Sequence, residues 1–390
     1  MKEIDLLSRI GLLHQILSSD KTRVGFLIGA GCSTSIKIGD EPLIPNISGL
    51  SKIVQDAMNA DEELKAHYAS LYSRAASDHP DNANIEHILT HLRALKEIVG
   101  SGTIEGLTKP ILEAIEVNIC KVITGVVQKD LTEPDSPHFK LVRWIGSLQR
   151  AYPVEIFTPN YDLLLEQALE HHEVPYFDGF SGSRYAFFDL SSIDDSKIPP
   201  QWARLWKLHG SINWWKTEKG AIRSTSPPAG AYPQMIYPSH LKYEQSRRLP
   251  YLAMMDQLSG FFSKDRDKCV NVLVTCGYSC ADDHINDAII QGLGNNQRNS
   301  TCFCLIFDNL DEISKAAELA KMRSNITLIA RDKGIVNCEI VRWSDTIVSD
   351  SPFTSSSVIQ REDKFECDLG NFNSFANFLA SNFLFHIEGK

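Results

Sequence analysis

The chain has 390 residues, enough for one large or two modest domains with a full hydrophobic core. An apolar fraction of 43% and a charged fraction of 23% are ordinary for a globular protein, and no run approaches the roughly 20 apolar residues that span a bilayer. With 49 acidic against 39 basic residues the net charge is −10, and no Lys/Arg-rich arm interrupts it, so neither membrane insertion nor direct nucleic-acid binding is expected.

The first residues, Met1-Lys2-Glu3-Ile4-Asp5, carry acids where a signal peptide is basic. Nine cysteines, an odd number, are scattered through apolar stretches, as suits buried thiols in a reducing compartment. Together these features predict a cytoplasmic protein.

Residues 1–20 place Ile4, Leu6, Leu7, Ile10, Leu13 and Leu17 on a helical stripe. Val24 to Ile28 then read as a buried strand that ends in Gly29-Ala30-Gly31-Cys32-Ser33. From about 50 to 150 the pattern is helical, with Ile85, Ile88, Leu89, Leu92 and Leu95 on one face and Leu112, Ile115, Ile119 and Ile123 on another. Glu86, His87 and His91 ride on the first of these as solvated or capping groups. Strand character returns at 154–157, followed by Thr158-Pro159-Asn160-Tyr161-Asp162 and a helix to His171. Another strand ends at Leu208 before His209-Gly210-Ser211, and the Ser-, Pro- and Gly-rich stretches 181–204 and 216–234 read as loops or a small irregular insert. A helix over 239–264 precedes the strand 270–275 and the turn Gly277-Tyr278-Ser279. A helix over 282–292, the strand 302–307, a helix over 309–322 and short strands at 326–329 and 339–341 follow. A serine-rich loop, 349–357, leads to a C-terminal helix bearing Phe372, Phe375, Phe378, Leu379 and Phe383, an apolar face for the core or for another subunit.

Short buried strands alternating with helices predict an α/β fold, a Rossmann-like parallel sheet with a helical insertion. In such a sheet ligands bind beyond the carboxyl ends of the strands. Four polar motifs lie there: 29–33, 158–162, 209–210 and 277–279. Gly29 and Gly31 allow a tight turn and close approach to a ligand, and N–H groups at the following helix start face an anion.

In that order, Gly-Ala-Gly-x-Ser, Thr-x-Asn-Tyr-Asp and Leu-His-Gly resemble the sirtuin-type NAD-binding core. Phe177-Asp178-Gly179-Phe180-Ser181-Gly182, Ile236-Tyr237-Pro238 with Lys242-Tyr243, and Gly277-Tyr278-Ser279 leading to Asp283-His284-Ile285-Asn286 extend the likeness over residues 20–345. More narrowly the chain resembles the bacterial sirtuin-like NAD hydrolases of antiphage defence, in particular the subunit that partners a HerA-type ATPase. The resemblance implies NAD+ as substrate, a large homo-oligomer and an ATPase-ring partner. It divides the chain into an N-terminal helix (1–20), a sirtuin-like catalytic domain (21–345, with the helical insertion at about 50–150) and a C-terminal loop and helix (346–390). Deacylating sirtuins carry a zinc ribbon of two Cys-x-x-Cys pairs. This chain has none, only Cys276-x3-Cys280 and Cys302-x-Cys304, so no zinc or other metal is expected and deacylation loses support.

Cleaving the bond between nicotinamide and ribose leaves an oxocarbenium-like sugar and requires water at the anomeric carbon. Asn160 offers an uncharged carboxamide to that water or to a ribose hydroxyl. His209 either accepts a proton or orients the ribose, and the family assigns its essential asparagine and histidine to these two motifs. Asp162 bonds ribose hydroxyls or caps a helix, Thr158 lines the pocket or suits a strand end, and Ser33 meets a phosphate or serves as an N-cap. Ala30 and Cys32 line the glycine turn, Cys32 as a small pocket residue in preference to a nucleophile. Gly277, Tyr278 and Ser279 are expected along the adenosine half, and Asp308 either meets the adenosine ribose or sits in a turn. Trp214 and Trp215 wall the nicotinamide pocket or pack in the core. Two other readings compete with hydrolysis: a non-catalytic NAD+ or ADP-ribose sensor that gates a partner, and a deacylase or ADP-ribosyltransferase.

Overall fold

The computed structural model describes residues 2–78, 83–147, 150–193, 197–235, 250–264, 268–294, 299–344, 357–361 and 364–381. The chain opens with β1 (Lys2–Ile4), α1 (Leu6–Ser18), β2 (Arg23–Ile28) and the short α2 (Ala30–Thr34). A hairpin, β3 (Lys37–Ile38) and β4 (Glu41–Pro42), leads to α3 (Ile47–Asn59), α4 (Lys65–Asp78) and α5 (Ile85–Val99). A second hairpin, β5 (Thr103–Ile104) and β6 (Leu107–Thr108), precedes α6 (Lys109–Val127) and α7 (Pro137–Ser147). Next come β7 (Glu155–Thr158), α8 (Leu164–His171), β8 (Tyr176–Phe177), β9 (Phe180–Ser181) and β10 (Ala186–Phe188). They are followed by β11 (Ala203–Lys207), β12 (Gly210–Thr217), β13 (Gly220–Arg223), β14 (Tyr232–Met235) and α9 (Tyr251–Phe261). After these stand β15 (Asn271–Cys276), α10 (Asp283–Gly294), β16 (Ser300–Leu305) and α11 (Lys315–Met322). The chain closes with β17 (Ile326–Ile329), β18 (Lys333–Val336), β19 (Glu339–Trp343), β20 (Val358–Arg361), β21 (Lys364–Cys367) and α12 (Phe372–Ser381).

The architecture is α/β around a ten-stranded, mostly parallel sheet in the order β1-β19-β18-β17-β16-β15-β2-β7-β11-β8. From β2 the chain fills one side with β7 and β11, then returns to lay β15 on the other side. The switch in strand order therefore falls between β2 and β15, where open α/β sheets bind ligands. Because successive side chains point to opposite faces, each central strand feeds two cores. Phe26, Ile156, Leu205 and Val274 pack under α1, α7, α8 and α12. Leu27, Phe157, Trp206 and Leu273 pack under α9, α10 and α11. Both faces are covered, so the strands read as continuous apolar runs.

Helices α3 to α6 enclose a third core of Val54, Leu71, Leu89, Leu92, Ile115, Ile119 and Ile123. Their starts are written in the sequence. Asn46 accepts from the Gly49 N–H, and Asn84 and His87 form a reciprocal capping box at α5. The module is not sealed off, because Leu164 of α8 and Ile212 of β12 are buried in the same core. Helix α7 falls within the expected insertion of 50–150 but packs on α12 and on the main core, with Trp144 against Phe26.

Several expectations change. The stretches read as loops at 181–204 and 216–234 supply strands of a second, antiparallel sheet, β14-β12-β13-β10-β9. Strands of two to four residues between serines, prolines and glycines are too short to show a period, and cross-strand pairing makes them. Strand β1 precedes the first helix, pairing in parallel with β19. Strand β18 fills the gap between the two expected last strands and runs antiparallel to both neighbours, so the sheet is not wholly parallel. Helix α11 starts at Lys315, capped by Ser314, not near 309. Residues 239–249 of the expected helix, most of the 349–357 loop and Phe383 lie outside the described residues. The apolar face of α12 is not a free docking surface. Phe375, Phe378 and Leu379 are fully buried against α1, α7 and β2, and at about 2 kcal/mol per side chain their burial favours this intramolecular docking.

Beside them His138 of α7 is buried edge-on to Phe372, its Nδ1 without a partner, and burial pushes its pKa down to about 4. The unfolded histidine protonates below about 6.5, so between that pH and about 4 the unfolded chain binds the extra proton and stability falls as pH falls. Urea melts from pH 7 to 4 should show a His138→Phe variant losing on the order of 3 kcal/mol less than the parent chain over that window. Parallel pH dependences would contradict the assignment.

Candidate active site

The site is built where the loops after β2, β7, β11 and β15 meet. Gly29 caps α2 in extended conformation and its N–H donates to the Cys276 carbonyl, while the Gly31 N–H donates to the Gly277 carbonyl, both at 2.9 Å. A Cβ on Gly29 would stand 2.3 Å from the Gly277 oxygen, and one on Gly277 would stand 2.5 Å from the Cys32 nitrogen. Gly277 also has φ +64, which glycine adopts without strain. The glycines thus let two backbone segments touch. The Gly31 N–H is thereby engaged by the protein itself. Ala30 and Gly31 remain the exposed face of the turn.

Thr158 ends β7 and ties it to β2, its hydroxyl donating to the Ile28 carbonyl at 2.7 Å and accepting from the Asn160 N–H at 3.1 Å. Asn160 is buried, and its Nδ2 donates to the Gly29 carbonyl and to Ser33 Oγ, each at 3.1 Å. With both amide hydrogens engaged, the acceptor Oδ1 is what the carboxamide offers a ligand. Ser33 Oγ donates in turn to Asp162 Oδ2 at 2.8 Å, and Asp162 Oδ1 accepts from the Leu164 N–H at 3.2 Å. Ser33 therefore caps no helix, and its hydroxyl hydrogen is engaged by Asp162. Asp162 satisfies the first N–H of α8, whose N-cap position is Leu163, and it also fixes Ser33. Cys32 is fully buried, its thiol donating to the Cys276 carbonyl at 3.2 Å. Burial above all, then the neighbouring Cys276 side chain and the Asp162 charge, push its pKa well up, which disfavours an activated thiolate.

His209 lies just past β11 and is buried, with Nε2 2.9 Å from Asp282 Oδ2. Its ring is inclined to that of Tyr161 with centroids 6.4 Å apart. The loops interlock, since the Leu208 N–H donates to the Thr158 carbonyl and the Ile212 N–H to the Tyr161 carbonyl. Under them the ammonium of Lys207, itself buried, bonds Glu166 Oε1 at 3.0 Å and the Asp162 carbonyl. Burial raises the Glu166 pKa against the pull of Lys207. Burial also raises the Tyr161 phenol, and the charges of Glu86 on α5 and of Asp282 add to the rise, so the helical module borders the site electrostatically.

Of the remaining candidates, Tyr278 is buried with its hydroxyl on the Asp282 carbonyl and Asn286, and Ser279 is exposed beside it. Asp308 is exposed in a turn past β16, its carbonyl accepting from Arg331. The bonds described above join the first four motifs but do not include it. Trp214 packs in the core against Phe180, and Trp215 donates to the Ser224 carbonyl. The Ile236-Tyr237-Pro238 and Lys242-Tyr243 motifs lie outside the described residues. Among the described residues no cluster of His, Cys, Asp or Glu is arranged to hold a metal, and no helix is long and apolar enough to cross a membrane.

Three site residues escaped the sequence reading: Asp282, Lys207 and Glu166. Lys207 gave a signal, a lone cation in the apolar run Leu205 to Leu208. Asp282 gave only that of a helix cap.

Residues 154–329 match the protein family described as the SIR2-like domain, a span that contains Asn160, His209, Gly277 and Asp282. No curated protein matches the chain.

Substituting Gly29 by Ala drives a methyl into the Gly277–Tyr278 backbone, which cannot rotate away. A loss of about 2 kcal/mol or more in unfolding free energy, read from urea melts, is expected. A change under about 0.5 kcal/mol would mean that the two turns are not in contact.

Proposed function

We propose that the protein is an NAD+ glycohydrolase, converting NAD+ and water to nicotinamide, ADP-ribose and a proton. The observation that carries this reading is the hydrogen-bonded joining of Asn160 to the glycine turn, with His209 on the neighbouring loop, at the strand-order switch of a SIR2-like domain. Nicotinamide leaves as a neutral group and needs no acid. The demand falls on the ribose side, where positive charge develops and water must arrive in line.

Asn160 Oδ1 is suited to accept from that water or from a ribose hydroxyl, because both hydrogens of its Nδ2 are held by Gly29 and Ser33. A carboxamide fixed from behind presents its acceptor without reorganising during the reaction. His209 takes the proton from the water or ribose hydroxyl. Cys32 has no part, since a protonated, fully buried thiol is neither nucleophile nor base.

The motif resemblance extends the reading to its setting. The enzyme acts in the cytoplasm and depletes NAD+ during antiphage defence, and it is restrained until triggered through homo-oligomer contacts and a HerA-type ATPase. With α12 docked on its own core, the helical module of α3 to α6 offers a surface for such contacts.

The test follows nicotinamide release from NAD+ by the purified full-length chain, alone and with a HerA-type ATPase. Release is expected, and Asn160→Ala and His209→Ala should each lower kcat by about a hundredfold or more. No release under any oligomeric condition would overturn the hydrolase reading, and equal release from both variants would overturn the site assignment.

A further inference from the structure

We infer that Asp282 is the positioning residue for His209, fixing its tautomer and ring orientation so that Nδ1 is the nitrogen that receives the proton. His209 stands two residues past the end of β11 and Asp282 six residues past the end of β15, and β7 and β2 separate these strands in the sheet. At about 4.8 Å per strand that is a distance of about 14 Å. Their side chains nevertheless meet at 2.9 Å, Nε2 to Oδ2, and both residues are buried. A contact that reaches over two strands is not an accident of neighbouring positions, and a carboxylate is not taken out of water without a partner.

The arm that carries Asp282 is built to hold it. Asp282 Oδ1 accepts from the N–H groups of His284 and Ile285, which makes it the N-cap of α10. Its carbonyl accepts from the Asn286 N–H and meets the Tyr278 hydroxyl at 3.1 Å. Asn286 Nδ2 returns to the Cys280 carbonyl at 2.7 Å and braces the turn in which Cys280 takes φ +56. One carboxylate oxygen thus belongs to the helix and the other to the histidine.

An ionised carboxylate only accepts, so Nε2 carries the hydrogen, and in the neutral ring Nδ1 holds the lone pair. Once Nδ1 takes a proton, the same carboxylate stabilises the imidazolium. The catalytic consequence rests on the proposed glycohydrolase reading, whereas the tautomer does not.

That separation gives the test. In Asp282→Asn the helix cap still requires an oxygen at the Oδ1 position, so the amide nitrogen falls opposite Nε2 and donates to it. The ring is then forced into the Nδ1–H tautomer, with its base nitrogen blocked. Long-range 1H–15N spectra of the full-length chain, with the His209 signals assigned by difference against His209→Gln, should show Nε2–H in the parent and Nδ1–H in the variant. Nicotinamide release should fall by about a hundredfold or more in kcat with KM for NAD+ little changed. Asp282→Ser keeps a cap but no histidine partner, and should give a tautomer mixture with an intermediate kcat. A parent ring in the Nδ1–H form, or an Asn variant with unchanged tautomer and kcat, would overturn the assignment. A parent chain with the expected tautomer switch but no nicotinamide release would instead overturn the glycohydrolase reading and leave the Asp282–His209 coupling standing.

Discussion

The contact between the turn after β2 and the turn after β15 sets the geometry of everything above the sheet. Gly29 and Gly31 lie against Gly277 so closely that a single Cβ would collide with backbone. Because the touching surfaces are main chain, their hydrogen bonds run from Gly29 to Cys276 and from Gly31 to Gly277 with no side chain to adjust them. That rigidity passes to Asn160, whose amide is anchored on the Gly29 carbonyl, and through Ser33 to Asp162 and the start of α8. Each donor in this series is taken up by the next acceptor, which leaves Asn160 Oδ1 as the acceptor on offer.

The same logic of paired burial operates at the other end of the strands. Glu155, fully buried at the start of β7, is held by Arg23 at 2.9 Å, Lys264 at 3.1 Å and the Trp206 indole at 2.8 Å. Breaking such a group on one side costs about 3–5 kcal/mol, which makes it a strong lock on strand alignment. At the site end Lys207–Glu166 and His209–Asp282 are also buried pairs, and the second joins residues from opposite sides of the switch in strand order. One end of the sheet spends its buried charges on alignment, the other on holding the groups proposed to do chemistry.

How much of this was legible follows from how local each signal is. Strands β2, β7, β11 and β15 were readable because each carries adjacent apolar residues, Phe26-Leu27-Ile28, Ile156-Phe157, Leu205-Trp206 and Val272-Leu273-Val274, between turn residues. The polar motifs after them were readable because glycine, asparagine and histidine stand out at strand ends. The direction of each hydrogen bond was not. Nothing in Gly-Ala-Gly says that its glycines meet another glycine nearly 250 residues away instead of a phosphate. Ser33 and Asp162 each suggested a cap or a ligand when taken alone, and only the fold makes them partners of one another. Asp282 was hidden by its second role, because a capping aspartate is common and its other oxygen points to a histidine on a strand three places along the sheet. The small antiparallel sheet escaped because four of its five strands have only two to four residues, too few for a period, and they are held by pairing and by contacts such as Trp214 with Phe180.

The helical module is tied to the site by covalent and packing continuity. Tyr161 stands between Asn160 and Asp162, and with Leu163 it packs against the module's core, in which Leu164 is fully buried. From the other side Ile212, three residues past His209, enters the same core. Moving α3 to α6 relative to the sheet would expose Leu164 and Ile212, at about 2 kcal/mol each, unless the two loops moved with the helices. The loops that carry Asn160 and His209 are thus packed to the helical module as well as bonded to the sheet. A contact made on the outer face of the module would reach the site through two buried side chains and no intervening segment.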